Sequence, residues 1–216
     1  MPWPIPTRSD PARSNPARLA SLGERSRFFP IPARAVHNGP MRLYRDRVPT
    51  PIGAMLLLAD DDHLRVLEFE DQIDRLDDWV GHRFGRPELI DAADPLGLST
   101  VLAAYFAGRL DAIDAIAAHA GGTPFQEGVW AALRRIPAGQ TRTYGALAAE
   151  LGRPAAQRAV GAANGRNPLA VVVPCHRLVG ADGSLTGYGG GIQRKRWLLA
   201  HEGARITPRA SPADPA

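Results

Sequence analysis

Apolar and polar residues follow two different periods in the first half of the chain. Over residues 39–71 apolar runs flank an acidic turn at 60–62, which predicts a β-hairpin with a possible third strand before it. Over residues 72–85 the apolar positions recur at helical spacing, and residues 97–110 predict a second helix. The pattern therefore predicts a small α/β unit.

Helix signals dominate after the break at 119–122. Thr123, Pro124 and Gln126 have the spacing of a capping box with proline in the first turn, which predicts a helix there. Thr143 is a candidate cap for a helix that begins at Tyr144 and that Gly152 ends.

A further helix is predicted from 154 to 166, and together with the one before it gives a helix-turn-helix pattern. An apolar strand at 169–173 then leads into the only cysteine. A glycine-rich loop at 180–191 and a helix at 192–202 follow.

These elements predict an α/β (α+β) chain with four parts. Residues 1–40, rich in Pro, Arg and Ser, predict a disordered extension. Residues 41–119 form the α/β unit, 120–204 the mostly helical unit, and 205–216 a Pro-rich tail.

Composition narrows the class of protein. The chain is 44% hydrophobic and 22% charged, as expected of a soluble globular protein. No apolar run approaches the ~18 residues of a membrane span and no secretory signal is visible, so we expect a cytoplasmic protein. A single cysteine excludes an internal disulfide and a cysteine-rich zinc site. His63, His82 and His119 are interpreted as surface or core residues, so no metal or cofactor is expected.

Charge is distributed unevenly. Residues 41–120 carry 8 basic and 15 acidic groups, whereas residues 121–216 carry 12 basic and 5 acidic ones. A polyanion partner for the basic half and ordinary surface solvation both fit this distribution. Arginine, which suits phosphate contacts, supplies every basic residue except Lys195. A GC-rich genome would have the same effect.

The second helix of the pair carries unusually small side chains around Arg158. Its face consists of Ala155, Ala156, Ala159, Gly161, Ala162 and Ala163. The minor groove is only about 6 Å wide, so a helix can approach it only if its contact face is nearly bare. Tight packing of the same face in a core is the alternative.

The cysteine lies between Pro174 and two side chains that can carry positive charge. His176 and Arg177 would favour the thiolate of Cys175, which is the nucleophilic form. Glu202 is a candidate to orient His176, because a carboxylate at a helix C-terminus opposes the helix dipole and needs a partner. The alternative is an inert, buried thiol.

Several segments of the sequence resemble a known family. PCHR at 174–177, NP at 167–168 and the downstream GYGGG and KRWLLAHEG segments closely resemble the O6-alkylguanine-DNA alkyltransferases, over about residues 45–204. The resemblance implies a ribonuclease H-like N-terminal unit and a helix-turn-helix catalytic unit. It implies direct repair by a monomer that binds duplex DNA in the minor groove and extrudes O6-alkylguanine. The alkyl group would then move irreversibly to Cys175. O4-alkylthymine would be a second substrate.

The resemblance also implies a role for each site residue. His176 and Glu202 would draw the proton from Cys175 through a water, and Tyr144 would protonate the leaving guanine. Asn167 would brace the turn that carries Cys175, called the active turn below. The residues expected to contact DNA or the base are Ala156, Gln157, Arg158, Ala159, Gly161, Leu178, Tyr188 and Gly189. Arg158 would fill the gap that the extruded base leaves in the DNA. The carbonyls of Cys175 and Leu178 would accept hydrogen bonds from the guanine amine. Tyr188 and the Gly189 N–H would line the pocket near O6, and Lys195 would lie behind them.

Two positions depart from the family pattern. Gln157 stands where a small residue is common, and Gly189 replaces a Ser or Ala. These changes leave DNA contacts and the tolerance for bulky alkyl groups open. Two other functions remain as alternatives: a non-catalytic sensor of alkylation damage, which Cys175 argues against, and a Cys-His-Glu thiol hydrolase.

Overall fold

A computed structural model describes residues 41–205, except for the side chains of 73–78. The predictions for residues 1–40 and 206–216 lie outside the described residues. Within the described range no helix is long and apolar enough to cross a membrane.

A four-stranded sheet forms the first half. Its strands are β1 (Arg42–Val48), β2 (Met55–Ala59), β3 (Leu64–Phe69) and β4 (Glu88–Asp91), in the order β3-β2-β1-β4. The β2–β3 hairpin around the acidic turn and the preceding strand are both confirmed, and these strands pair antiparallel. β4 pairs parallel with β1 and was not predicted.

Two helices accompany the sheet. They are α1 (Ile73–Phe84) and α2 (Leu98–Phe106), as the helical spacing predicted. Leu98, Leu102 and Tyr105 of α2 are buried and lie one and two turns apart, so one face of this helix packs into the core. The opposite face is exposed or partly exposed.

The second half contains four helices: α3 (Pro124–Arg134), α4 (Tyr144–Glu150), α5 (Gln157–Gly165) and α6 (Ile192–His201). The capping box of α3 is confirmed, because Thr123 Oγ1 accepts from the Gln126 N–H and Gln126 Oε1 accepts from the Thr123 N–H. Thr143 Oγ1 likewise accepts from the Ala146 N–H at 3.1 Å and caps α4. Strands β5 (Arg142–Thr143) and β6 (Leu178–Val179) pair in parallel and link the start of α4 to the segment after the cysteine.

The start of α5 differs from the prediction. Residues 154–156 form a turn, in which the Ala156 N–H donates to the Arg153 carbonyl, and the helix begins only at Gln157. Pro154 fixes its own backbone angle but does not place its neighbours in the helix. Ala155 and Ala156 therefore precede α5.

The apolar run before the cysteine is not a strand. Leu67 of β3 bonds through its backbone to Pro168 and Ala170, which makes a single bridge opposite Leu169. The chain then turns tightly, with Val171 at φ +71°. Proline at 174 has no N–H to continue a ladder, and residues 175–177 form one 3₁₀ turn.

One apolar core runs through both halves. It includes Leu57 and Leu67 of the sheet, Leu133 of α3 and Leu198 of α6, all fully buried. Arg194 of α6 adds a polar tie, because its Nε donates to the Ile52 carbonyl at 2.8 Å and its guanidinium pairs with Asp71. The four-stranded sheet thus packs directly behind the turn that carries the cysteine.

Candidate active site

Asn167 holds the turn that presents the cysteine. Its Nδ2 donates to the Val173 carbonyl at 2.9 Å, and its Oδ1 accepts from the Leu169 N–H at 3.0 Å. These two bonds span the tight turn in which Val171 adopts its left-handed conformation, which costs a β-branched residue of order 1–3 kcal/mol. The turn ends at Cys175, which is 6% exposed.

His176 and Glu202 form a buried pair directly beside the cysteine. Nε2 of His176 lies 2.9 Å from Oε1 of Glu202, and neither side chain is exposed. If Nε2 carries the proton and donates to the carboxylate, Nδ1 is left as an acceptor. Among the described residues Nδ1 has no hydrogen-bond partner, so it is free to take a proton.

Glu202 collects hydrogen bonds from both halves of the chain. Arg177 donates from Nε to Oε2 at 2.9 Å and from Nη2 to Oε1 at 2.7 Å, and the Tyr105 hydroxyl donates to Oε1 at 2.7 Å. Burial alone would raise the pKa of Glu202, but His176 and Arg177 hold it well below its usual value. The carboxylate is therefore ionised and fixed, which offsets its position at the C-terminal end of α6.

The thiol of Cys175 is not ionised at rest. Burial raises its pKa to about 11, and the nearby charge of Glu68 adds to the rise, while Asn167 and Lys195 oppose it. The expectation that His176 and Arg177 keep a thiolate is therefore wrong. The guanidinium of Arg177 donates its hydrogen bonds to Glu202 and to the Ile136 carbonyl rather than to the sulfur. The thiol needs a base during reaction.

Lys195 lies behind the turn and is fully buried. Its ammonium donates to the carbonyls of Leu178, at 2.5 Å, and Thr186, at 2.6 Å. Burial lowers its pKa to about 8, and the charge of a Cys175 thiolate would raise it. Lys195 thus ties the end of the active turn to the glycine-rich loop.

A small cleft borders the sulfur of Cys175. Its walls are Glu68, Asn164, Gly165, Asn167, Ala170, Cys175, Tyr188, Gly189 and Gly190. The Tyr188 hydroxyl and Asn164 Oδ1 are buried and have no hydrogen-bond partner in the described part of the chain. Burial, followed by the charges of Cys175 and Glu68, raises the pKa of Tyr188 well above its usual value. The cleft thus offers polar atoms to a ligand.

Tyr144 lies where the two short helices meet. Its ring is half-buried against Gly161 of α5, where an added Cβ would lie 3.9 Å from it. Burial raises the pKa of Tyr144, Thr186 lowers it by hydrogen bonding, and the charge of Cys175 raises it. Tyr144 therefore lies within electrostatic reach of the sulfur.

The small-residue face of α5 is divided between core and surface. Ala163 is buried and its carbonyl accepts from Trp130 Nε1 at 3.0 Å, so the core alternative holds for this residue. Ala155, Ala159 and Ala162 are exposed, as is Arg158. Gln157 is exposed too, and its amide lies over Gly145, 3.2 Å from where a Cβ would be. An exposed strip of small side chains therefore remains along α5, formed by Ala159 and Ala162 with Ala155 just before the helix.

The structure brings most of the predicted site residues together. Around the turn and cleft lie Cys175, His176, Glu202, Asn167, Tyr144, Leu178, Tyr188, Gly189 and Lys195, and Arg158, Ala156, Gln157, Ala159 and Gly161 lie at or near the start of α5. Sequence reasoning missed Tyr105, Glu68 and Asn164. Glu68 gave one visible signal, a carboxylate inside an otherwise apolar strand.

Among the described side chains, those of residues 41–72 and 79–205, no group of three or more His, Cys, Asp or Glu could hold a metal. His63 and His119 approach each other, with ring centroids 6.0 Å apart. His119 also contacts Arg65.

Comparisons with known proteins cover nearly the whole described chain. Family models for the ribonuclease-like domain and the DNA binding domain of 6-O-methylguanine DNA methyltransferase match residues 43–117 and 124–204. A methylated-DNA–protein-cysteine methyltransferase from Salmonella typhimurium is 52% identical over 76% of this chain and 97% of its own length. One from Methanosarcina acetivorans is 46% identical over 72% of this chain and 95% of its own length. A crystal structure of Mycobacterium tuberculosis OGT in complex with DNA superimposes with a TM-score of 0.63 at 41% identity, covering 74% of this chain and 92% of that one.

Proposed function

Since the chain belongs to the 6-O-methylguanine DNA methyltransferase family, we propose that Cys175 is the residue that receives the alkyl group. The protein repairs DNA directly, by transferring an alkyl group from the DNA to its own cysteine. Cys175 is the only cysteine in the chain, and this single observation carries the assignment.

The substrate we propose is O6-alkylguanine in duplex DNA, with O4-alkylthymine as a second lesion. The sulfur attacks the alkyl carbon, a C–S bond forms and the C–O bond breaks. The electron pair leaves with the guanine, which must gain a proton because its anion is a poor leaving group. The product is a thioether, which the site cannot hydrolyse, so one protein molecule repairs one lesion.

His176 and Glu202 supply the base that the neutral thiol requires. The free Nδ1 of His176 accepts the proton of Cys175 through a bridging water, and the ionised Glu202 stabilises the resulting imidazolium across the 2.9 Å contact. Tyr144 is the proton donor to the leaving base. Asn167 and Lys195 keep the active turn in place, and the carbonyls of Cys175 and Leu178 receive the guanine amine.

DNA binds along the exposed strip of α5. Ala159 on this strip, together with the partly exposed Gly161 and with Ala156 just before the helix, has no side chain long enough to prevent close approach to the minor groove. Arg158 stands at the exposed start of the helix and takes the place of the extruded base. Gln157 contacts the DNA backbone next to Arg158. Tyr188 and Gly189 enclose the flipped base.

We propose that the chain acts as a monomer with two units, 41–119 and 120–204. The second unit would carry the DNA-binding strip and the thiol, and the first would close the rear of the site through Tyr105 and Glu68. Support for this division comes from the capped start of α3 at Thr123.

The test is the intact mass of the protein after incubation with a duplex that contains O6-methylguanine. We expect a stoichiometric gain of about 14 Da, located on Cys175, because transfer to sulfur is irreversible. Cys175→Ser should bind the duplex and gain no mass. A duplex that loses its methyl group in many turnovers, without protein modification, would favour a hydrolase instead. An unmodified protein that binds the lesion tightly would favour a sensor.

A further inference from the structure

One wall of the cleft carries an unexpected negative charge. Glu68 of β3 is 9% exposed and lines the same cleft as Cys175. It reaches this place because the backbone bonds of Leu67 to Pro168 and Ala170 dock β3 against the active turn. The sulfur must become an anion during the reaction, and a carboxylate nearby makes this less favourable. The position of Glu68 is therefore not explained by a benefit to the thiol.

Two of the polar side chains that line the cleft bring acceptor oxygens: Glu68, whose Oε1 also accepts from the Phe69 N–H at 2.9 Å, and Asn164. Among the nine residues that line it, Glu68 is the only one with a formal charge. Asn164, which is 6% exposed, has a buried Oδ1 that finds no hydrogen-bond partner among the described residues. A buried acceptor without a donor costs about 1–3 kcal/mol. A ligand with a hydrogen-bond donor would remove this cost.

The substituent on O6 is the part of the lesion that must come nearest to the sulfur, and therefore to the residues that line the cleft with it. The sulfur must attack in line with the C–O bond, so the alkyl carbon lies between Cys175 and O6, and any longer substituent extends into the surrounding cleft. We propose that Glu68 and Asn164 select O6 substituents by charge and hydrogen bonding. Neutral groups with a donor, such as 2-hydroxyethyl, are accepted, and anionic groups, such as carboxymethyl, are rejected. This inference rests on the proposed transfer to Cys175.

The experiment compares three lesions in one duplex sequence: O6-methyl-, O6-(2-hydroxyethyl)- and O6-carboxymethylguanine. Hydroxyethyl and carboxymethyl are similar in size but differ in charge, so their ratio isolates the electrostatic effect. Single-turnover rate constants are each divided by the methyl rate, which removes any general effect of a variant on the thiol. In the unmodified protein we expect the carboxymethyl lesion to react at least tenfold more slowly than the hydroxyethyl lesion.

Two variants test the two residues separately. Glu68→Gln should raise the carboxymethyl-to-methyl ratio at least tenfold, and Asn164→Leu should lower the hydroxyethyl-to-methyl ratio at least threefold. Glu70→Gln is the matched control, because Glu70 is exposed, pairs with Arg47 and does not line the cleft, and it should change neither ratio. Thermal melts establish that each variant is folded.

Three outcomes separate this proposal from the one it rests on. If the unmodified protein transfers methyl to Cys175 but treats the two larger lesions equally, charge selection is wrong and the proposed function stands. If both variants keep their ratios within twofold, Glu68 and Asn164 contact the guanine or the core instead, and the inference fails. If no methyl reaches Cys175 in the unmodified protein, the proposed function itself fails.

Discussion

The hydroxyl of Tyr105 donates a hydrogen bond to Oε1 of Glu202 across 2.7 Å, although the two residues are 97 positions apart in the chain. The same oxygen lies 2.9 Å from His176 Nε2. A residue of α2 therefore helps to fix the carboxylate that orients the histidine. Burial, followed by the charge of Glu202, raises the pKa of Tyr105 well above its usual value, so the hydroxyl remains a donor at every pH of interest.

Tyr105→Phe should slow alkyl transfer at least about tenfold, because a hydrogen bond to a charged group contributes about 1.5–3 kcal/mol and about 1.4 kcal/mol corresponds to tenfold. The measurement is the single-turnover rate with an O6-methylguanine duplex, at a temperature where both proteins are fully folded. Tyr44→Phe is the matched control, since it removes a tyrosine–carboxylate bond to Asp61 on the exposed surface. It should leave the rate unchanged. Equal rates for Tyr105→Phe and the unmodified protein would remove Tyr105 from the relay.

The resting state of Cys175 can be measured without DNA. The chain has one cysteine, so iodoacetamide labelling reports this thiol alone. We expect the labelling rate of the folded protein to rise about tenfold per pH unit from pH 7 to 9.5, because only the thiolate reacts and burial raises the pKa to about 11. In denaturant the rate should reach half its maximum near pH 8.5 and level off about one pH unit higher.

The raised pKa of Cys175 also makes the free energy of unfolding depend on pH. The thiol pKa is higher in the folded state, so burial of the neutral thiol contributes stability below about pH 8.5, which is lost as the pH rises toward 11. Cys175→Ala should remove this part of the pH dependence from thermal melts. A folded-state labelling rate that is already independent of pH at 7 would mean a resident thiolate and would contradict this account.

Local signals in the sequence were sufficient for most of the second half. The caps at Thr123 and Thr143 depend on residues three positions away, and both form as predicted. Strand β4 was missed because Glu88–Asp91 carries mostly exposed side chains and is a strand only through its parallel pairing with β1. Such pairing joins distant segments, so no local pattern announces it.

The active turn could not be predicted from periodicity either. Residues 169–173 have the composition of a buried strand, but the bonds from Asn167 and β3 stop the pairing after a single bridge. The adjacent Cys175 and His176 come to share one 3₁₀ turn for this reason. The motif pointed to the residues that we propose react, whereas the positions of Glu68 and Tyr105 beside the turn are visible only in the folded structure.

Arg158→Ala should separate extrusion of the base from chemistry. We expect the rate with duplex O6-methylguanine to fall at least tenfold, while the rate with free O6-benzylguanine stays within twofold, because a free base needs no extrusion. Arg153→Ala is the control for lost charge, since Arg153 is exposed on the turn before α5 and lies over the Phe125 ring at 5.5 Å. It should weaken duplex binding mainly through salt-dependent contacts. Equal losses on both substrates for Arg158→Ala would contradict its proposed role.

Gly190 sets the width of the cleft behind the sulfur. A Cβ at this position would lie 2.8 Å from ring carbons of both Phe69 and Tyr188, which is too close for either ring to stay where it is. Gly190→Ala should therefore displace Tyr188, narrow the cleft and slow transfer of benzyl more than transfer of methyl. Gly128→Ala is the control, because a Cβ there, on α3, meets nothing within 4 Å and alanine favours a helix by up to about 1 kcal/mol. The measurements are the transfer rates for both alkyl groups, with thermal melts to establish folding. If Gly190→Ala keeps both rates, the Tyr188 ring does not confine the substituent, and other residues limit the size of the lesion.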